Sequence, residues 1–235
     1  MSRGCIYSVT IVLTNDDGID APGIMALRQA LNGRAAAIVA PEQPLSGCSH
    51  QINRGGPITI GARHCDEYAI GGTPADCTRV ALSHLYPQAQ WLLSGINAGG
   101  NLGADIHVSG TVAAVREAAL LRIPGIALSH YIHRGRPIDW TLAIRLATKV
   151  LERLLAHPPK AGQFWNVNLP HLTMADPEPE LVFCPLCTQP LPTDFVVEGD
   201  QFHYVGDYSQ RRYDPDSDVA VCFGGQISVT PIHLW

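Results

Sequence analysis

Short apolar runs alternate with amphipathic segments over the first 170 residues of the chain. Runs rich in β-branched residues predict buried strands, and apolar residues at helical spacing predict helices. The predicted strands are Ile6–Leu13, Ala35–Ala40, Pro57–Ile60, Tyr68–Ile70, Gln90–Leu93, Gly125–Ser129 and Phe164–Asn168. The predicted helices run from caps at Asp20, Thr73 and Asp139 to near Asn32, Leu85 and Ala156, and from Thr111 to near Leu121. This alternation predicts an α/β fold with a mostly parallel sheet and helices on both faces.

The pattern changes after Pro170, where helical periodicity disappears and prolines cluster. Short apolar runs remain at Leu181–Cys184, Val196–Val197, Phe202–Val205 and Gln226–Ile232. They predict a β-hairpin-rich extension rather than a second globular domain. We therefore expect a core over residues 1–170 and an extension over 171–235 that completes the domain and takes part in oligomerisation.

Composition limits the class of protein. The chain has 235 residues, 46% of them hydrophobic, and a formal net charge of -5. It can bury a sizeable core, and it lacks the basic balance expected of a protein that binds polymeric nucleic acid. No apolar stretch approaches the roughly 20 residues of a membrane span.

Seven scattered cysteines, an odd number, and no recognisable signal peptide favour a reducing, cytoplasmic location. Cys184 and Cys187 form a C-x-x-C pair without further metal ligands nearby, and they are interpreted as two ordinary thiols.

Three predicted strands are each followed by a loop of polar and small residues. The loops are Thr14–Gly18, Pro41–Gly47 and Ser94–Asn101. Because ligand sites of parallel sheets lie outside the carboxyl ends of the strands, we expect these loops to meet at one edge.

Asp16 and Asp17 are the most informative pair in these loops. Two neighbouring carboxylates repel each other by roughly 1–4 kcal/mol, and a divalent cation that prefers oxygen ligands removes this cost. Ser46 and Asn97 offer neutral oxygens at the facing loops. The alternative is that all four are ordinary turn residues.

Ser109-Gly110-Thr111 opens a predicted helix. Its free backbone N–H groups and the helix dipole suit a phosphate, although Ser and Thr are also common helix caps without any ligand. Motifs of dinucleotide-binding oxidoreductases, Walker-type NTPases and G-x-S-x-G esterases are missing from the sequence.

These residues together resemble the SurE family, the survival protein E nucleotidases. The resemblance is carried by Leu13–Ile24, Val39–Pro41, Ser46–Gly47, Gly72–Cys77, Ser94–Gly99, Asn101–Gly103, Ser109–Ala114, Asn166–Pro170 and Ile227–Pro231. It implies a Rossmann-like fold and a cytoplasmic, metal-dependent phosphomonoesterase that hydrolyses nucleoside 5′- and 3′-monophosphates.

The resemblance also assigns residues. It implies a divalent ion, Mg²⁺ or Mn²⁺, held by Asp16, Asp17, Ser46 and Asn97, with Asp16 and Asp17 also catalytic. Asn97, Ser109, Gly110 and Thr111 are expected to bind the substrate phosphate. A homodimer or homotetramer is the expected assembly.

Three positions depart from the usual family pattern, namely Gly100, Ala104 and Val108. They lie beside the expected phosphate pocket. They motivate an alternative hypothesis, that the protein is a nucleotide-binding or sensor module on the same fold without catalytic turnover.

Overall fold

A computed structural model describes residues 10–235. Its strands are β1 Ile11–Thr14, β2 Ala36–Pro41, β3 Ile60–His64, β4 Glu67–Ile70, β5 Trp91–Ala98, β6 Gly125–His130, β7 Gln163–Leu169, β8 Leu181–Phe183, β9 Phe195–Glu198, β10 Gln201–Tyr204 and β11 Ile227–His233. Its α-helices are α1 Pro22–Ala30, α2 Pro74–Val80, α3 Gly110–Leu120, α4 Trp140–Leu155 and α5 Asp218–Phe223.

Nine of these strands form one mostly parallel sheet in the order β3-β4-β2-β1-β5-β6-β7-β11-β8. Among the strand pairs described in it, β3–β4 and β7–β11 are antiparallel and the others are parallel. The predicted Rossmann-like α/β class is therefore confirmed. β8 and β11 come from the part after residue 170 and join the same sheet, so the division of the chain there stays a prediction.

The side chains of β1 show how the sheet is covered on both faces. Ile11 and Leu13 pack into a core shared with α1 and α4, whereas Val12 packs with α2 and α3 on the other face. This alternation follows from the two-residue period of a strand. It buries both faces, which explains why the strand sequences are continuous apolar runs.

Gly23 permits the close packing of α1 on β5. A Cβ at Gly23 would lie 2.0 Å from the carbonyl oxygen of Ile96, a distance that no side chain tolerates. The glycine therefore sets how closely the helix after the Asp pair approaches the strand that carries Asn97.

Most predicted helix starts are confirmed. Thr73 and Asp76 form a reciprocal capping box on α2, and Asp139 caps α4 by accepting from Thr141 and Leu142 N–H groups. The predicted cap at Asp20 is wrong. Ala21 occupies that position without a side-chain bond, because the Asp20 carboxylate instead pairs with Arg63 at 2.8 Å.

Several predicted boundaries are corrected. The strand expected at Pro57–Ile60 begins only at Ile60, where antiparallel pairing with β4 starts. The strand expected at Gln90–Leu93 extends to Ala98, because β1 and β6 pair with it on either side. Residues 6–9 of the first predicted strand lie outside the described residues. Helix α5 was missed, since six residues are too short for a periodic signal.

The predicted runs after residue 170 do form strands. β9 and β10 form a separate antiparallel hairpin, and all eight residues in its two strands are exposed. Cys184 and Cys187 are buried and neither forms a disulfide. Within residues 10–235, no helix is both long enough and apolar enough to cross a membrane.

Candidate metal and phosphate site

The strand order creates a crevice at the carboxyl end of β1. The chain passes from β1 to β2 on one side and later returns to β5 on the other, so β1 lies between these two strands. Such a reversal of strand order is where open α/β sheets bind ligands. Asp16 and Asp17 directly follow β1, and Asn97 lies near the end of β5.

Asp16 is buried, with 4% of its surface exposed. Its Oδ1 accepts a hydrogen bond from the hydroxyl of Thr111 on α3. Burial raises the pKa of Asp16 to about 6, and the charge of Asp17 adds to the increase while the Thr111 bond opposes it. The protein thus holds a carboxylate in an environment that disfavours its charge.

Asp17 is half-buried beside it. Its Oδ2 accepts from the backbone N–H of Ala98 at 3.3 Å, which ties the loop after β1 to the end of β5. Burial also raises the pKa of Asp17. None of the ion pairs found over residues 10–235 involves either carboxylate.

The loops that carry the other two predicted ligands, Asn97 and Ser46, are hydrogen-bonded to the loop after β1. Asn97 donates its Nδ2 to the carbonyl of Gly99 at 2.8 Å, which leaves its Oδ1 as an acceptor. Ser46 is exposed and follows Leu45, whose backbone N–H donates to the carbonyl of Asp16 at 2.8 Å. The expected meeting of three loops at one sheet edge is therefore observed.

The amino end of α3 completes the site. Ser109 caps the helix by accepting from the Val112 N–H at 3.1 Å, so its cap role is confirmed. A Cβ at Gly110 would lie 2.8 Å from Cβ of Asp16 and 3.0 Å from Sγ of Cys48. The helix start thus approaches the Asp16 side chain as closely as a glycine permits.

A cavity of about 570 Å³ adjoins Leu45, whose backbone N–H donates to the carbonyl of Asp16, and the predicted site residues themselves lie outside its lining. It is lined by Leu45, Cys48 and polar residues, among them Gln51, Asn53, Arg54, Thr73 and Asp76. The sequence pattern identified Thr73 and Asp76 only as a helix start. The Asp76 carboxylate also accepts from the backbone of Asn53 at 3.0 Å, which shapes the cavity wall. That long-range bond leaves no sequence signal.

The donor set suits a hard cation. In the part of the chain that the structure describes, no three or more His, Cys, Asp or Glu side chains are grouped to hold a metal. Among residues 10–235 the carboxylates of Asp16 and Asp17 have no ion-pair partner, and the loops that carry Asn97 and Ser46, which have neutral side-chain oxygens, are hydrogen-bonded to them through Ala98 and Leu45. Oxygen ligands of this kind favour Mg²⁺ or Mn²⁺ over Zn²⁺. The individual ligand roles stay predictions.

The structure is thus a doubly wound α/β fold with two neighbouring acids at the point where the strand order reverses, and a helix that starts at a glycine faces the first of them, Asp16. The family model of survival protein SurE matches residues 11–190. The chain belongs to the SurE family, as the resemblance in its sequence predicted.

The similarity to known proteins extends over nearly the whole chain. A protein of Nostoc sp., provisionally named a 5′-nucleotidase, is 53% identical over 96% of this chain and 100% of its own. The 5′-nucleotidase SurE of Clostridium beijerinckii is 35% identical over 96% of this chain and 93% of its own. The crystal structure of the SurE protein from Aquifex aeolicus superposes with a TM-score of 0.85 at 28% identity, covering 96% of this chain and 93% of that one.

Proposed function

We propose that this protein is a divalent-metal-dependent phosphomonoesterase of the 5′-nucleotidase type. Its substrates are nucleoside 5′-monophosphates, and 3′-monophosphates as a second group. The observation that carries the proposal is the pair Asp16 and Asp17. Asp16 is buried and faces the start of α3, Asp17 is half-buried beside it, and neither has an ion-pair partner among residues 10–235. The names of the similar proteins in Clostridium beijerinckii and Nostoc sp. support it.

The metal would be held by Asp16, Asp17, Ser46 and Asn97. When bound, Mg²⁺ or Mn²⁺ polarises phosphoryl oxygens and lowers the pKa of a coordinated water. Thr111 fixes the Asp16 side chain through Oδ1 and so leaves Oδ2 directed toward the helix start. One of the two carboxylates takes the proton from the attacking water.

The phosphate would be received by backbone N–H groups at the start of α3. Ser109 already uses the N–H groups of Val112 and Ala113, through its hydroxyl and its carbonyl. A helix start leaves the N–H groups of Gly110 and Thr111 without intrahelical partners, and the Thr111 N–H already interacts with the Asp16 carboxylate and lowers its pKa. They are suited to stabilise the charge of the transferred phosphoryl group.

The nucleoside would occupy the cavity beside Cys48. Its volume of about 570 Å³ falls in the range of small-molecule sites, and Leu45 joins it directly to Asp16. The side-chain amides of Gln51 and Asn53 and the hydroxyl of Thr73 line the cavity and offer donors and acceptors for a base and a ribose.

The test is phosphate release from a panel of nucleoside monophosphates and p-nitrophenyl phosphate, with and without a chelator. Asp17→Asn is expected to lose activity, whereas the matched control Asp20→Asn retains it, because Asp20 is exposed and pairs with Arg63. Full activity of Asp17→Asn, or indifference to the chelator, contradicts the metal mechanism. Tight nucleotide binding without phosphate release by the wild type would favour the alternative, a binding module.

We also propose that the β9–β10 hairpin forms a contact in a homodimer or homotetramer. Phe202 is 68% exposed and Tyr204 56% exposed, and both contact Phe195 edge-on. Aromatic side chains clustered on an exposed hairpin indicate a protein contact surface. Phe202→Lys should lower the mass measured by light scattering, and an unchanged mass contradicts this role.

A further inference from the structure

The segment between Asn97 and Ser109 connects the two halves of the proposed site. Three successive backbone N–H groups in it each donate to a side-chain oxygen, and two of those oxygens come from distant parts of the chain. The donor and acceptor residues are Asn101 to Asn168 at 2.8 Å, Leu102 to Asp105 at 3.1 Å and Gly103 to Asp218 at 2.8 Å. All three donors are buried, so the segment is held by directional bonds rather than by packing alone.

Asp105 is the centre of this arrangement. Its Oδ2 accepts from the backbone of Leu102, from the hydroxyl of Tyr208 and from Nη1 of Arg211 at 3.0 Å. Its backbone carbonyl accepts from the N–H of Ser109 at 3.1 Å. Asp105 therefore joins the segment after β10 to the residue that caps α3.

Arg211 is the buried member of the network. Of the cations that form ion pairs within residues 10–235, it alone has a side chain that is 0% exposed. Its guanidinium lies over the ring of Tyr208, 4.8 Å from the centroid. Its Nε and Nη2 have no hydrogen-bond partner among residues 10–235, so the Asp105 carboxylate is the main compensation for a fully buried charge.

A buried ion pair is a weak source of stability, since an apolar pair of similar volume often stabilises as well. Such a pair instead fixes the orientation of the side chains that it joins. The pair fixes Asp105, Asp105 fixes Ser109, and two residues later Thr111 donates its hydroxyl to Asp16. A continuous chain of hydrogen bonds and backbone thus runs from the C-terminal extension to the proposed metal ligand.

We propose that Asp105 and Arg211 are positioning residues that set the orientation of the α3 start toward Asp16. This inference rests on the proposed phosphatase function. It assigns to the extension a role in turnover, through Tyr208 and Arg211, in addition to its place in the sheet.

Arg211→Met removes the charge and keeps most of the volume of the side chain. We expect kcat for a nucleoside monophosphate to fall about 10- to 100-fold, because small displacements of a catalytic group have effects of this size. The KM is expected to change less than threefold, since the cavity wall is not part of the network. Arg211→Lys retains a buried cation and is expected to recover at least part of the lost kcat.

The control for a general loss of stability is Val150→Ala. Val150 is fully buried on α4, on the face of the sheet opposite α3. The kcat, the KM and the melting temperature are measured for all variants, at a temperature where each is folded. If Arg211→Met is too unstable to purify, Tyr208→Phe removes one hydrogen bond to Asp105 and is expected to lower kcat three- to tenfold.

Hydrogen exchange of residues 101–111 gives a readout that does not depend on activity. Faster exchange in Arg211→Met than in Val150→Ala, together with the fall in kcat, supports the proposal. The proposal is overturned if Arg211→Met and Val150→Ala have equal kcat and equal exchange in this segment. If the wild type releases no phosphate, the proposed function fails, while the exchange comparison still decides whether the network orders the segment.

Discussion

Gly110→Ala tests the proposed site most directly, because it adds one carbon atom in contact with Asp16. The added Cβ would lie 2.8 Å from Cβ of Asp16 and 3.0 Å from its Oδ2. An ordinary contact between carbon atoms is about 3.5 Å, so one of the two groups has to move by about 0.7 Å. Asp16 also accepts from Thr111 in the same helix, so the strain acts on a side chain that is already fixed.

The expected effect on catalysis is large relative to the effect on folding. Misplacement of a catalytic group by about 1 Å costs on the order of 100-fold in rate, which corresponds to about 2.7 kcal/mol. Overpacking of this kind lowers stability by about 1–3 kcal/mol. We therefore expect Gly110→Ala to remain folded at room temperature, with kcat/KM reduced about 100-fold and with weaker binding of Mn²⁺.

The assay combines phosphate release over a range of substrate concentrations with a calorimetric titration of Mn²⁺. Gly56→Ala is the matched control, because a Cβ at Gly56 would lie within 4 Å of no atom in the described part of the chain. Wild-type kcat/KM and wild-type Mn²⁺ affinity in Gly110→Ala would refute the assignment of Asp16 and the α3 start to one site.

Two further predictions concern the cap of α3 and a buried histidine. Ser109→Ala and Asp139→Ala each remove a helix cap and should each cost about 1 kcal/mol in unfolding free energy. Only Ser109→Ala should also lower kcat. If the two variants have equal kcat, Ser109 has no role beyond capping the helix. Burial lowers the pKa of His130 to about 4, below its ordinary 6.5. The unfolded chain therefore takes up this proton first as the pH falls. Stability that is present above pH 6.5 is then lost toward pH 4, on the order of 3 kcal/mol. Urea denaturation gives the unfolding free energy at pH 7 and at pH 4.5. Between these pH values it should fall less in His130→Gln than in the wild type, and an equal fall contradicts the assignment of this pH dependence to His130.

Much of the fold was predictable from local pattern. The apolar runs that became β1, β2 and β6 are buried on both faces, and such strands leave a continuous apolar signal in the sequence. The starts of α2 and α4 were predictable for a similar reason, because a cap bonds to residues only two or three positions away.

The predictions that were wrong concern residues whose structure depends on a partner far away in the sequence. Asp20 has the composition of a cap, yet Arg63 on β3 holds its carboxylate. β5 continues to Ala98 through a glycine-rich stretch, because β1 and β6 supply hydrogen-bonding partners on both sides. Tertiary pairing overrides local propensity in both cases.

The sequence by itself determined the donors of the candidate site, the two acids after β1 and the polar loops that follow two other strands. Their types and their positions at strand ends are local properties of the chain. The tertiary structure decided which groups face them: Thr111 against Asp16, Ala98 against Asp17, and the buried pair of Asp105 and Arg211 behind the α3 start. These contacts join residues about 80 to 106 positions apart. Nothing in the local sequence encodes them, because they arise only when the strand order and the packing of α3 bring those segments together.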